Sequence, residues 1–237
     1  MGFGKLWIVG VGPGAADLLT FRAVDAIRRS TLVIAPRAIN SDESLARKVV
    51  EQYLSDKNIY EHSYSMIRDS SSAYQSWKHV AERIRPYLTS GEDVAHITIG
   101  DPHIYSTSAY LIPNVLEYLP EENLEIVPGI SAFQVAASMF HKPLCIQEDR
   151  LLIMTATNIS LVESMLPHAE TIVLYKSGKH LNEIADLVDK HNITANVVGY
   201  GGIVDKECIG TDLRFIAKNL NGYMATVILH IGRRNWS

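Results

Sequence analysis

A run of apolar residues that stops abruptly at glycine, aspartate and proline is the feature that most constrains this chain. Residues 94–99 read VAHITI, which is typical of a buried strand, and a Gly-Asp-Pro turn follows at 100–102. The loop continues with polar and aromatic side chains, among them His103 and Tyr105, before a helical pattern begins. Since open α/β sheets bind ligands at the carboxyl ends of their strands, we expect this loop to line a site.

The first half of the chain alternates apolar strands with amphipathic helices, which predicts right-handed crossovers and a parallel sheet. Pro36 is expected to close the second strand, because proline cannot extend a central strand. Ser41 is expected to begin the helix that follows it. The predicted strands are 5–9, 31–35, 59–65 and 92–99, and the predicted helices are 18–29, 41–54, 72–88 and 106–119.

The second half continues as a second α/β lobe. A polar turn at 120–123 separates the halves, so we place the domain boundary there, with an N-terminal lobe at 1–122 and a C-terminal lobe at 123–237. The predicted strands are 125–127, 150–156, 171–175, 196–198 and 225–231, and the predicted helices are 130–140, 161–166, 181–190 and one that Thr211 or Asp212 caps.

Composition excludes several classes of protein. A hydrophobic content of 47% with 20% charged residues is ordinary for a globular chain of 237 residues. The net charge of −4 offers no general attraction to nucleic acid or to an anionic membrane. Cys145 and Cys208 are far apart and the nine histidines are scattered, so we expect neither a disulfide framework nor a metal site. We predict a soluble, cytoplasmic protein.

The glycine-rich segment 10–14 invites a dinucleotide-binding interpretation, but its context argues against one. A Rossmann loop leads directly into a helix and is followed by an acid at the end of the second strand. Here Pro13 interrupts the loop and Arg37 follows the second strand. A tight turn would explain the glycines, but a second glycine-bearing strand end at Gly100 favours a loop that lines a ligand. A dinucleotide-dependent oxidoreductase stays a weaker alternative.

Three motifs together resemble the tetrapyrrole methylase family, whose enzymes methylate precorrins with S-adenosylmethionine on the route to cobalamin. They are VGVGPG at 9–14 with DLLT at 17–20, GDP at 100–102 with YST at 105–107, and VPGIS at 127–131. Each motif alone is loose, but all three in this order and spacing are specific. The resemblance covers essentially the whole chain.

Within the family, the DPxxYST form and residues 150–157 look most like the C20-methyltransferases of precorrin-2 or cobalt-factor II. The function implied is methyl transfer to C20 of an early corrin precursor. Three alternatives stay open: a member that methylates another ring position, ribosomal RNA or the diphthine precursor. The negative net charge counts mildly against RNA. A non-catalytic ligand-binding protein is a further alternative, of a different class.

The resemblance also implies a fold and a cofactor site. The fold would be two α/β lobes, with a mainly parallel N-terminal sheet, a mixed C-terminal sheet and an active-site cleft between them, usually in a homodimer. The substrate would be a tetrapyrrole, with no nucleic-acid or membrane partner. Matched by position, the residues implied to contact S-adenosylmethionine are Pro13, Ile99, Gly100, Asp101, Ile104, Tyr105, Ser131, Ala132, Lys176, Tyr200, Gly201, Ala225 and Thr226.

Two positions depart from the family pattern. Lys176 falls where relatives often have methionine, and a cation is unfavourable near a sulfonium unless its side chain points toward substrate carboxylates. Residues 199–202 read GYGG and replace a more acidic segment that is common in relatives.

The chemistry requires little from side chains. A sulfonium methyl is already activated and the macrocycle is the nucleophile, so a base is needed only to remove the displaced proton. Asp101, His103 and Tyr105 are the candidate catalytic residues, although Asp101 would equally suit the cap of a turn. The candidates for gripping substrate carboxylates are Arg37, Arg150 and Lys179.

Overall fold

The computed structural model describes residues 2–39, 41–64, 70–203, 205–220, 222 and 224–232. The chain forms two compact units, which divide between Ser131 and Ala132. The sequence-based boundary lay between Glu122 and Asn123. The difference concerns one strand, Leu124–Val127, which pairs with the first strand of the chain and therefore lies in the N-terminal sheet.

The N-terminal unit alternates strands and helices as the sequence predicts. Short 3-10 turns at Ala16–Leu18, Glu51–Tyr53, Thr107–Tyr110 and Glu121–Asn123 connect them. The strands are β1 (Leu6–Gly10), β2 (Leu32–Ala38), β3 (Asn58–Tyr64), β4 (Val94–Thr98) and β5 (Leu124–Val127), and the helices are α1 (Phe21–Arg29), α2 (Leu45–Val50), α3 (Ser70–Thr89) and α4 (Leu111–Val115).

These strands form one sheet in the order β3-β2-β4-β1-β5, and every pairing is parallel. The expected parallel sheet is therefore confirmed. Side chains alternate across β1, so Trp7 and Val9 pack with α1 and α2 while Leu6 and Ile8 pack with α3 and α4. Because all strands run the same way, the segments that follow β1, β4 and β5 emerge at one edge of the sheet.

Pro36 does not end β2, contrary to expectation. The strand runs to Ala38 and pairs with β3 throughout, whereas its pairing with β4 stops at Ile34. The carbonyl of Pro36 accepts a hydrogen bond from the Ser44 hydroxyl, 2.8 Å away, so this residue faces away from β3. A proline costs no ladder hydrogen bond at a position where the strand is paired on one side only.

Two helices begin later than the sequence suggested, each at a capping hydroxyl. The Thr20 hydroxyl accepts from the N–H of Ala23, so α1 begins at Phe21 rather than Leu18. The Ser44 hydroxyl accepts from the N–H of Arg47 at 3.3 Å, so Ser44 and not Ser41 caps α2. A hydroxyl at the cap satisfies one of the N–H groups that a helix leaves without an internal partner.

Residues 106–119 were predicted as one helical segment and prove to be shorter. Ser106 caps the 3-10 turn Thr107–Tyr110, which continues into α4. Pro113 lies in the first turn of α4. Backbone N–H groups in the first turn have no intrahelical acceptor, so a proline costs no helix hydrogen bond there. Ser65, the last residue of the predicted third strand, lies outside the described residues.

The C-terminal unit has a sheet of its own in the order β6-β7-β10-β8-β9. Its β6–β7 pair is parallel and its other pairs are antiparallel, which confirms the expected mixed sheet. The elements are α5 (Ala132–Met139), β6 (Leu151–Thr155), α6 (Ile159–Met165), β7 (Thr171–Tyr175), α7 (Leu181–His191), β8 (Thr194–Gly199), β9 (Cys208–Gly210), α8 (Leu213–Asn219) and β10 (Ala225–His230).

Sequence reasoning missed β9, a strand of three residues paired with β8 at the sheet edge. So short a run carries no alternation that a pattern could detect. The capping residue of α8 is Asp212, whose carboxylate accepts from the N–H of Phe215 at 2.9 Å. Of the two candidates, Thr211 is therefore not the cap.

Candidate functional site

Three loops meet at the carboxyl edge of the N-terminal sheet. Gly12 and Gly100 exchange backbone hydrogen bonds, with Gly100 N–H donating to Gly12 at 2.7 Å and Gly12 N–H donating back at 3.3 Å. Asp101 links the second loop to the third, because its Oδ2 accepts from the Gly129 N–H at 3.0 Å. The sequence-based boundary assigned the third loop to the C-terminal lobe, but in the structure it is in contact with the second loop of the N-terminal sheet.

Glycine is required where these loops touch. A Cβ on Gly129 would lie 2.2 Å from the carbonyl oxygen of Gly100, and one on Gly10 would lie 2.6 Å from the same atom. By contrast, a Cβ on Gly100 would meet no atom within 4 Å, and its φ of 74° is a left-handed conformation that glycine favours. The three backbones therefore pack face to face, with the free face of Gly100 turned to open space.

Asp101 is a structural cross-link within this cluster. Its side chain is only 12% exposed, its Oδ1 accepts from the backbone N–H of His103 at 2.8 Å, and its Oδ2 accepts from Gly129. Asp101 therefore caps its own turn, a role that the sequence analysis considered. It also makes a long-range contact with Gly129 that the turn alone does not require.

The other two candidate catalytic side chains are more accessible. The His103 imidazole is 62% exposed and lies 3.4 Å from Asp101 Oδ1, and Tyr105 is 45% exposed. Partial burial raises the pKa of the Tyr105 phenol, so it stays protonated at neutral pH. Both lie on the loop that follows β4, where they could reach a ligand.

The remaining predicted residues of this unit line or support the same edge. Pro13 is buried in the first loop, and Ile99 is half-buried against the core that packs on α1 and α2. Ile104 donates its N–H to the carbonyl of Asp101 at 3.2 Å, which closes the turn. Ser131, only 4% exposed, ends the third loop.

Left-handed backbone conformations occur at three of the predicted cofactor residues. Tyr105 has a φ of 52°, Lys176 of 57° and Tyr200 of 50°. Each follows the carboxyl end of a strand, namely β4, β7 and β8. A side chain in this region costs energy that the surrounding structure must offset, and such residues cluster at functional sites.

In the C-terminal unit, the predicted residues gather where β7 and β8 end and β10 begins. Ser177, next to Lys176, donates its N–H to the carbonyl of Ala225 at 3.1 Å, and Tyr200 donates its N–H to Met224 at 2.9 Å. Thr226 is buried and lies opposite Val198 in the β8–β10 ladder. Hydrogen bonding along β10 therefore brings Lys176, Tyr200, Ala225 and Thr226 to one end of this sheet, while Ala132 begins α5.

The loop after β8 is held by its own contacts. Gly202 N–H donates to the Glu207 carboxylate at 2.7 Å, and a Cβ on Gly201 would lie 2.9 Å from a methyl group of Val198. Lys206 places its ammonium 5.9 Å from the centre of the Tyr200 ring, within cation–π range. The Gly-rich segment is thus a defined turn and places Tyr200 where β10 starts.

Two of the three basic candidates are already occupied by internal partners. Arg150 makes a bidentate contact with Glu170, at 2.8 and 3.3 Å, which lowers the pKa of that carboxyl to about 2. Arg37 donates to the Ser63 hydroxyl at 2.8 Å and lies 3.5 Å from Glu61. Lys179 is exposed.

Sequence reasoning missed three polar residues beneath the loop that follows β4: His96, Thr98 and Ser108. All are buried, and they are connected through Ser106 by hydrogen bonds. A histidine within the apolar run 94–99 was the signal in the sequence that could have revealed them.

Two features are absent from the described ranges. No group of three or more His, Cys, Asp or Glu side chains among them is placed to hold a metal ion. No helix within the same ranges is both long and apolar enough to cross a membrane.

The chain matches a known family over most of its length. The sequence model of the tetrapyrrole (corrin/porphyrin) methylases matches residues 5–214. A probable cobalt-precorrin-2 C(20)-methyltransferase of Methanocaldococcus jannaschii is 32% identical over 181 residues, which cover 76% of this chain and 74% of that protein. The cobalt-precorrin-2 C(20)-methyltransferase of Salmonella typhimurium is 31% identical over 179 residues, 74% of each chain.

The fold is likewise similar to solved structures. A uroporphyrin-III C-methyltransferase of Thermus thermophilus, crystallised with S-adenosylhomocysteine, superposes with a TM-score of 0.65 and covers 96% of this chain and 97% of that one. Its sequence is 16% identical, so this likeness concerns the fold alone.

Proposed function

Because this chain belongs to the tetrapyrrole (corrin/porphyrin) methylase family, we propose that it transfers a methyl group from S-adenosylmethionine to C20 of an early corrin precursor in cobalamin biosynthesis. Tetrapyrrole methylases use S-adenosylmethionine. The observation in the structure that carries the proposal is the contact of the three motif loops through Gly12, Gly100, Asp101 and Gly129. A cobalt-precorrin-2 C(20)-methyltransferase and a probable one are both above 30% identity to this chain, which favours the cobalt-bearing substrate.

The residues at this edge fit a polar cofactor. The open face of Gly100 leaves room for a ligand beside the backbone, and any larger side chain there would fill that room. When bound, S-adenosylmethionine supplies a methyl group that its sulfonium has already activated. The protein must therefore position the reactants and exclude water rather than generate a nucleophile.

In this proposal the chain contributes mainly backbone. Pro13, Ile99, Gly100 and Ile104 would form the surface against which the cofactor rests. Asp101 would keep the second and third loops together through its bond to Gly129. Ser131, the last residue of the N-terminal unit, is also predicted to contact the cofactor. The predicted cofactor contacts in the C-terminal unit are Ala132, Lys176, Tyr200, Gly201, Ala225 and Thr226.

Proton removal after methyl transfer needs an accessible group. His103 and Tyr105 both meet this requirement, and of the two side chains only the neutral imidazole carries a ring nitrogen whose lone pair can take up the proton. We assign His103 as the preferred acceptor. Tyr105, as a protonated phenol, would instead donate a hydrogen bond to substrate or cofactor.

We further propose that the protein acts in the cytoplasm as a homodimer with a tetrapyrrole as its small-molecule partner. The family resemblance supports this assembly. Light scattering of the purified chain should give a mass of two subunits, and a monomer that retains full activity would refute the dimer.

Calorimetry with S-adenosylhomocysteine and with NAD tests the class of the reaction. We expect the first to bind and the second not to bind. Binding of NAD alone would revive the oxidoreductase alternative and remove the methyltransferase assignment.

The substrate is tested with labelled S-adenosylmethionine and precorrin-2, with and without cobalt. The labelled methyl group should be found at C20 by NMR, with faster turnover of the cobalt form. Label at another ring position would keep the family and overturn the C20 assignment.

A further inference from the structure

We propose that His96 is a positioning residue for the loop that follows β4. It ends a chain of three hydroxyls, two of them buried, that holds the carboxyl side of this loop in place. The inference rests on the proposed function insofar as that loop contacts the cofactor. His96 touches no reactant in this account and acts only through Ser108, Ser106 and Thr98.

His96 lies in the middle of β4 and is completely buried. Its ring packs against Trp77 of α3, with ring centroids 5.6 Å apart and planes at 67°. Burial lowers the pKa of His96 to about 3, and the neighbouring His62 lowers it further in the same direction. The imidazole is therefore neutral at physiological pH, with one nitrogen that donates and one that accepts.

A continuous chain of polar atoms leads from this imidazole to the loop. Ser108 Oγ lies 3.4 Å from His96 Nδ1, Ser106 Oγ lies 2.8 Å from Ser108 Oγ, and Thr98 Oγ1 lies 3.0 Å from Ser106 Oγ. Ser106 Oγ also accepts from the backbone N–H of Ser108 at 3.2 Å, which caps the 3-10 turn. Every hydroxyl in the chain is within hydrogen-bond distance of its neighbour.

The donor and acceptor roles along this series of hydroxyls are linked to one another. If His96 Nδ1 accepts from Ser108, then Ser108 accepts from Ser106 and Ser106 accepts from Thr98, so each hydroxyl donates once. Nε2 then carries the hydrogen. Among the described residues Nε2 has no hydrogen-bond partner.

This chain and Asp101 hold the two sides of the same loop. Asp101 ties its beginning to Gly129, and Ser106 ties its end to the buried chain. Tyr105, directly before Ser106, has the left-handed φ of 52° that fixed neighbours must maintain. Without an acceptor at His96, the Ser108 proton loses its partner in a buried position, and the end of the loop is free to rearrange.

The test uses two variants of the full chain with opposite expectations. His96→Phe keeps a ring of similar shape and removes the acceptor, while His96→Asn places an amide oxygen close to the position of Nδ1. Ile84→Ala is the matched control, because Ile84 is fully buried in the hydrophobic cluster that contains Trp77 but lies outside the series of hydroxyls. For each variant we would measure the unfolding free energy, the Kd of S-adenosylhomocysteine and amide exchange in the loop.

We expect His96→Phe to weaken S-adenosylhomocysteine binding about tenfold and to speed exchange of the Ser108 and His103 amides. His96→Asn should stay within about threefold of the parent Kd. Ile84→Ala should lose stability with Kd and loop exchange unchanged. Equal effects of Ile84→Ala and His96→Phe on binding, or an unchanged loop in His96→Phe, would overturn the proposal.

The exchange measurement needs no ligand, which keeps two failures apart. If the parent protein does not bind S-adenosylhomocysteine, the proposed function fails while the positioning role is still read from amide exchange. Should His96→Phe not fold, Ser108→Ala breaks the same chain one step away, and unchanged exchange of the loop amides in that variant would overturn the proposal.

Discussion

The carboxylate of Asp101 accepts the backbone N–H of Gly129 at 3.0 Å, across 28 positions of the sequence. Its second oxygen accepts the N–H of His103 two residues away. One side chain therefore closes its own turn and joins the loop after β4 to the loop after β5. An aspartate at this position is explained by architecture before any chemistry is assigned to it.

Replacing Asp101 with alanine removes the acceptor of both N–H groups. We expect the unfolding free energy to fall by about 1–3 kcal/mol and S-adenosylhomocysteine binding to weaken, since the two loops lose their link. Asp101→Asn keeps one acceptor oxygen, so its unfolding free energy and its affinity for S-adenosylhomocysteine should lie between those of the parent and of Asp101→Ala. Urea titration and calorimetry measure these effects.

Asp93 offers the control for that experiment. It accepts from the Lys5 N–H at 2.7 Å and from the Trp7 indole N–H at 3.2 Å, before β4 begins rather than after it ends. Asp93→Ala should cost stability without changing the Kd. A shift in Kd as large as that of Asp101→Ala would show that binding merely follows stability.

The glycine contacts predict a separation of stability from binding. Gly129→Ala would place a Cβ 2.2 Å from the Gly100 carbonyl, and we expect it to lose both stability and cofactor affinity. Gly100→Ala has open space and should lose only about 1 kcal/mol from its positive φ, yet weaken binding strongly because its Cβ enters the proposed site. Gly100→Val should abolish binding.

Gly2→Ala is the control for the glycine series, since its Cβ would meet no atom within 4 Å and no positive φ is involved. Gly2→Ala should leave the unfolding free energy and the Kd of S-adenosylhomocysteine unchanged. If Gly100→Val still binds S-adenosylhomocysteine with the parent Kd, the loop is structural and the proposed cofactor site beside Gly100 is wrong.

The left-handed residues should show a trade between stability and activity. Lys176→Gly relieves the positive φ and should raise the unfolding free energy by up to about 1 kcal/mol, while lowering kcat/KM through loss of the side chain. Asn192→Gly is the comparison: Asn192 ends α7 at a φ of 48°, a conformation asparagine tolerates, so little change is expected. Lower stability in Lys176→Gly would contradict this account.

Buried histidines should make the fold sensitive to acid. Burial lowers the pKa of His96 to about 3 and those of His62 and His230 to about 4, whereas all three take up protons near pH 6.5 when unfolded. The unfolded state therefore binds more protons below pH 6.5, and stability falls as the pH drops from there toward 3.

At pH 4.5 the His96 contribution alone should amount to roughly 2–3 kcal/mol of lost stability relative to pH 7.5. Urea titrations at the two pH values measure it. His96→Asn cannot titrate and should show a correspondingly smaller loss. An identical loss in the variant and the parent would mean that His96 is not held neutral by the fold.

Local pattern was enough to predict much of this protein. Alternating apolar strands and amphipathic helices predicted the parallel sheet, because strands joined by crossover helices must run the same way. The same argument placed the loops at 10–14 and 100–107 on one edge, whereas the loop at 128–131 was assigned to the C-terminal lobe. The spacing of their motifs indicated the family, and the sequence model of that family matches residues 5–214.

Several details depended on contacts between distant segments. Pro36 lies within β2 because pairing with β4 stops two residues earlier, which no local pattern reveals. Ser44 caps α2 while also donating to the Pro36 carbonyl, so the helix start is settled by a tertiary bond.

By itself, the sequence determined most of the strands and the edge of the sheet at which the loops after β1 and β4 emerge. Only the tertiary structure decided what the polar side chains do at that edge. Asp101 accepts a hydrogen bond from Gly129, and the His96 ring is hydrogen-bonded to the Ser108 hydroxyl. Folding brings these groups together, and their separation in the sequence carries no periodic signal. A buried polar group needs a partner, and long-range packing determines which partner it finds.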